Sequence, residues 1–180
     1  MNSSRLSCHI LFISCMLVFF SCNGSSAGRP DSESTDGRGE KELIIQPEND
    51  GSYLLSAEKG KGIGPNIKYM PEWKAFGWFS NTDKVEWIMD VREAGAYQVE
   101  MEWSVSDEES GKEFALETKN DTLTGVVEKS GSWEDFLSKE IGLVKLKAGT
   151  QKIIFKPNED FDSTGALLDL RSLTLKRVGE

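Results

Sequence analysis

Two neighbouring stretches of the chain repeat with a period of two. In residues 85–91, Val85, Trp87, Met89 and Val91 alternate with Glu86, Ile88 and Asp90. In residues 97–105, Tyr97, Val99, Met101, Trp103 and Val105 alternate with Gln98, Glu100, Glu102 and Ser104. This spacing puts one set of side chains on one face of a strand, whereas a helix needs apolar positions three and four apart. The link at residues 92–96 is short and contains Gly95, which is free to take positive φ. The two strands are therefore expected to pair as an antiparallel hairpin.

Similar segments, separated by turn residues, fill the rest of the chain. Residues 53–57, 67–69 and 75–79 read as short strands, and residues 59–66 (KGKGIGPN) as a loop. Pro65 and the lack of a following helix argue against a phosphate-cradling role for that loop. Residues 113–118 and 122–127 read as a hairpin, and residues 136–146 as a strand with a break near Gly142. Lys147, Ala148, Gly149 and Thr150 then turn the chain into a strand at 152–156, and a last strand runs over about 166–176. Residues 42–45 are a short first strand or the end of a tether, and the folded unit is expected to begin near Ser52. With no helical pattern and no internal repeat, roughly nine or ten short strands predict an all-β, two-sheet antiparallel jelly-roll β-sandwich.

The N-terminus departs from this pattern. Residues 10–20 form an apolar run too short to span a bilayer, and Arg5 is the only charged residue among the first 21. This is a secretory signal. The run ends in Leu17-Val18-Phe19-Phe20-Ser21-Cys22, which resembles a bacterial lipobox in a loose form. The resemblance implies cleavage before Cys22 and acylation of that cysteine. Several acyl chains anchor a protein stably where one is marginal. An ordinary signal cut elsewhere is the alternative. The expected organisation is a signal at residues 1–21, a lipidated cysteine and Gly/Ser-rich flexible tether at 22–50, and the sandwich at 51–178. The expected location is the bacterial cell envelope, as a membrane-anchored lipoprotein in the periplasm or at the cell surface.

Processing of this kind narrows the available chemistry. Cys8, Cys15 and the single histidine, His9, lie inside the signal, so the mature chain keeps Cys22 and no histidine. Intrachain disulfides, histidine or thiolate zinc sites and histidine-dependent nucleophilic catalysis are thereby excluded. Losing Arg5 takes the net charge from −9 to −10. That argues against nucleic acid, whose binders need a basic surface, and against a membrane contact beyond the lipid.

Four segments then carry a family likeness: Leu55-Ser56-Ala57-Glu58; Gly77-Trp78-Phe79 with Val85-Glu86-Trp87; Glu93-Ala94-Gly95-Ala96-Tyr97; and Gly131-Ser132-Trp133 leading to the turn at Lys147. In this order they resemble carbohydrate-binding modules of families 6 and 35, galactose-binding-domain-like β-sandwiches. The nearest likeness is to accessory domains of family 29 α-L-fucosidases. It covers about residues 53–175.

The resemblance implies a glycan ligand and places Trp133 and Trp78 as two aromatics that hold one sugar. The residues themselves leave alternatives open. Trp133 lies in a Gly/Ser loop, where a flat ring can stack on the C–H face of a sugar or fold over the sandwich edge. Trp78 lies among Trp73, Phe76 and Phe79 and is either core or platform; Phe76 and Trp78 share a parity opposite to Phe79. Trp87 and Trp103 read as core. The resemblance further implies a structural Ca²⁺ between strand ends, which here would use Glu58 and Asp169, although Ser56 stands where a further glutamate is usual. Asn158 and Asp162, in the acidic loop before the last strand, could bond sugar hydroxyls or form an ordinary polar turn. Leu167 and Leu168 occupy the place where the family offers an asparagine.

A glycosidase needs two carboxylates opposed across a cleft, and the acidic runs Asp107-Glu108-Glu109 and Glu134-Asp135 are chain neighbours instead. The expected function is a non-catalytic, lipid-anchored carbohydrate-binding module that works beside a secreted enzyme partner. The alternatives are an envelope assembly protein that docks a partner enzyme and, less favoured, a carboxylate-dependent hydrolase.

Overall fold

The alternation in the sequence is realised as burial. In the computed structural model, which describes residues 42–77, 79–162 and 165–179, Val85, Trp87, Met89 and Val91 are buried, as are Tyr97, Val99, Met101, Trp103 and Val105. Each side chain between them on the first stretch is half-exposed, as are Gln98, Glu100 and Glu102 on the second. The described residues form twelve strands: β1 (Ile44–Ile45), β2 (Tyr53–Ser56), β3 (Lys61–Ile63), β4 (Lys68–Met70), β5 (Ala75–Gly77), β6 (Lys84–Val91), β7 (Gly95–Ser104), β8 (Glu113–Glu117), β9 (Thr122–Val126), β10 (Leu137–Leu146), β11 (Gly149–Pro157) and β12 (Asp169–Arg177). One 3-10 turn, Ala57–Lys59, follows β2.

The strands make two six-stranded sheets. The first runs β1-β6-β11-β8-β9, with β3 also on β6; the second runs β10-β7-β12-β5-β4, with β2 also on β12. Among these strands all pairings are antiparallel except β1 with β6. The apolar faces of the sheets meet around Trp87, Trp103, Phe155 and Leu173. This is the expected all-β sandwich.

The expected hairpin between β6 and β7 does not form. The two strands belong to different sheets, and residues 92–94 arch between them. The Tyr97 hydroxyl donates to the Glu93 carbonyl at 2.7 Å, a bond of the tyrosine-corner kind, and the Arg92 N–H donates to the Tyr53 hydroxyl at 2.9 Å. Period-two alternation buries every second residue in a hairpin and in an arch alike, so it could not tell them apart.

Three smaller expectations also change. The fold begins before Ser52, because Ile45 is buried and pairs with Met89. Residues 59–66 are not all loop, since β3 lies within them. Phe76 and Phe79 are both buried despite their opposite parity, because β5 ends at Gly77 and the alternation ends with it. The hairpin of β8 and β9 is as expected, and the expected break near Gly142 is a bulge in β10 against β7.

Candidate functional site

At the end of the sandwich where β7 finishes and β12 begins, a cleft of about 890 Å³ opens between five loop segments, β4 and the start of β12. Trp133 forms one wall. Its loop is pinned from below: the buried Ser104 hydroxyl donates to the Trp133 carbonyl at 2.9 Å, and the Val105 N–H donates to the Ser130 hydroxyl at 2.8 Å. The Ser132 hydroxyl donates to Asp135 at 2.8 Å and closes the turn. Trp133 packs one side against the core and keeps part of its surface open to the cleft.

Pro65, Asn66, Lys68 and Met70 form a second wall, with Ser80 beside them. The buried Asp83 carboxylate ties these segments together. It accepts from the Ser80 N–H at 2.8 Å, the Ser80 hydroxyl at 2.9 Å and the Asn66 N–H at 3.4 Å. Gly64, at φ +138°, lets the chain pass this close, since a Cβ there would lie 1.9 Å from Asp83 Oδ1.

The third wall holds Ser106, Glu108, Glu109, Gly165 and Ala166. The Lys112 ammonium pairs with the Glu109 carboxylate and donates to the Ala166 carbonyl at 2.9 Å, joining the two segments. Asp169, at the start of β12, also lines the cleft. Its carboxylate has no hydrogen-bond or ion-pair partner among the described residues, and burial pushes it up to about 7.

The cleft thus unites Trp133 and Asp169 but not the other candidates. Trp78 and Cys22 lie outside the described residues. Asn158 is exposed away from the cleft; its side chain donates to Glu113 at 3.0 Å and its N–H to the Glu113 carbonyl at 3.0 Å. Asp162 is exposed, and its carbonyl accepts from the Gly165 N–H at 2.9 Å, so it shapes the loop beside the cleft without lining it. Leu167 and Leu168 are fully buried. Glu58 is exposed on the 3-10 turn. No group of three or more His, Cys, Asp or Glu residues gathers at metal-binding range among the described residues. Glu58 and Asp169 alone fall well short of the six to eight oxygens that calcium takes.

Asn66, Met70, Ser80, Ser106 and Glu109 were missed as cleft residues. The Asp107-Glu108-Glu109 run and the Pro65-Asn66 turn were visible in the sequence, but nothing there placed them beside Trp133. Together the walls offer a flat aromatic face, an apolar thioether and a ring of hydroxyl, amide and carboxylate groups. That combination suits a ligand with apolar C–H faces and hydroxyl edges.

No protein-family model and no curated protein matches the chain. Solved structures do. The C-terminal family 6 carbohydrate-binding module of the laminarinase LamC from Zobellia galactanivorans superposes with a TM-score of 0.57 at 14% identity, covering 70% of this chain and 99% of that one. A family 35 carbohydrate-binding module from Clostridium thermocellum gives 0.56 at 11% identity over 71% and 98%. The module CBM6cm-2 from the Cellvibrio mixtus lichenase 5A, solved with cellotriose, gives 0.55 at 15% identity over 70% and 97%. The chain has the fold of family 6 and family 35 carbohydrate-binding modules. The nearer likeness to fucosidase accessory domains is not shown by these structures.

Proposed function

We propose that this protein is a non-catalytic carbohydrate-binding protein, held at the bacterial envelope by lipid on Cys22, whose cleft takes a glycan by stacking on Trp133. The observation that carries this reading is a half-exposed Trp133 lining, together with Asn66, Ser80, Ser106 and Asp169, a cleft of about 890 Å³. The volume is that of a small-ligand site, and the loops are hydrogen-bonded into place, which lowers the ordering cost of binding. Asp169, proposed from the sequence as a calcium ligand, serves the sugar in this reading. Trp78, two residues before Ser80, would supply the second aromatic.

Glycan-array binding should be lost in Trp133→Ala while the melting curve stays cooperative; unchanged array binding would remove the platform and the reading with it. Asp169 and Glu109 share the cleft, so a hydrolase reading makes its own demand. It requires turnover of chromogenic glycosides, and the binding reading expects none. An assembly role would instead be marked by capture of a partner enzyme without any glycan affinity.

A further inference from the structure

We propose that the binding surface runs over the rim of the cleft onto a platform formed by Trp73, Phe136 and Arg171, so that the protein takes at least two consecutive sugar units rather than one. This rests on the carbohydrate-binding reading of the cleft. Three chain segments connect the two surfaces. Met70, Trp133 and Asp169 line the cleft, and Trp73, Phe136 and Arg171 follow them by two or three residues. On β12, two residues advance at most about 7 Å, on the scale of one pyranose unit.

The platform is rigid before any ligand arrives. Trp73 and Phe136 stack with ring centroids 6.4 Å apart and planes 27° from parallel. The Arg171 guanidinium lies 3.4 Å from the Phe136 centroid. It donates to the Trp73 carbonyl at 3.1 Å and to the Glu102 carboxylate at 2.7 Å. Arg171 is the extra residue where β12 shifts register against β7 between Leu170 and Ser172; such a bulge re-aims a side chain. The turn that presents Trp73 is also held: its N–H donates to the Met70 carbonyl at 3.2 Å, and Lys74 beside it sits at φ +51°, where non-glycine residues are strained.

These arrangements leave Trp73 36% exposed, an unusual position for a ring of that size. Glu102 neutralises Arg171, so the platform presents an aromatic surface with no net charge. A neutral glycan chain leaving the cleft would find there a second flat ring.

Calorimetry with galactose against β-1,3-galactotriose, and glucose against cellotriose, tests this. The trisaccharide of at least one pair should bind more tightly than its monosaccharide. Trp73→Ala should weaken trisaccharide binding about tenfold or more, the usual effect of removing an aromatic anchor, and leave monosaccharide binding unchanged. Trp73→Tyr should restore most of the loss. Equal binding of monosaccharide and trisaccharide by the wild type, or undiminished trisaccharide binding by a folded Trp73→Ala variant, overturns the platform. Failure of the cleft reading is distinct: Trp133→Ala would then leave monosaccharide binding intact, or the wild type would bind neither sugar series, and the platform would fall with it.

Discussion

Asp169 can lie across β5 only because residue 77 is glycine: a Cβ there would stand 2.3 Å from its Oδ1. Burial without a partner raises this carboxyl from 3.8 to about 7. Between those values the folded protein holds a proton that the unfolded chain releases. The stabilisation from this group is therefore complete below about pH 4 and is lost as pH rises through 7. Asp169→Asn, which keeps the shape and cannot ionise, should gain melting temperature relative to wild type as pH rises from 5 to about 8, a trend that differential scanning fluorimetry resolves. A constant difference across that range would mean the carboxyl is solvated. At this scale the sequence was partly legible. Trp133 announced itself because a large aromatic among Gly131, Ser132 and Glu134 has little to pack on locally. Asp169 was visible only as an acid at a strand end, and its direction depends on Gly77, which is distant in sequence. Asn158 and Asp162 sat in the right loop, but proximity along a loop does not say which way a side chain turns.

The arch between β6 and β7 shows what strand pattern can and cannot decide. Existence and facing of both strands followed from alternation, while the β8–β9 hairpin followed from the short turn between two strand-like segments and the break in β10 from Gly142. Partnership did not, because the partner is chosen by what covers the two edges of a strand, and those strands come from elsewhere in the chain. The arch depends on its own bonds. Tyr97→Phe removes the hydroxyl that caps the Glu93 carbonyl and should lower unfolding free energy by about 1–2 kcal/mol in urea titration. The arch lies at the end of β7 opposite the cleft, so glycan affinity should not change. A matching loss of affinity would show that the two ends of the sandwich are coupled.

For the whole molecule, the fold class was the most legible feature, since many short alternating segments with turns between them have few ways to bury their apolar faces other than two stacked sheets. The lipid anchor is proposed from the Phe20-Ser21-Cys22 ending alone, and its test is fractionation. The protein should stay with membranes in high salt, as an anchor of acyl chains would and an ionic contact would not. Cys22→Ser should move it to the soluble fraction. The position of β12 reaches further, into how the domain is made. It is the last strand of the sandwich, yet it sits inside the second sheet, with β7 on one edge and β2 and β5 on the other. A chain synthesised from its N-terminus leaves a strand-wide gap between those edges until residue 177 becomes available. Until then β2, β5 and β7 present unpaired backbone, the state from which aggregation starts. Closing that gap joins residues more than a hundred positions apart, a non-local pairing of the kind that slows the folding of β proteins.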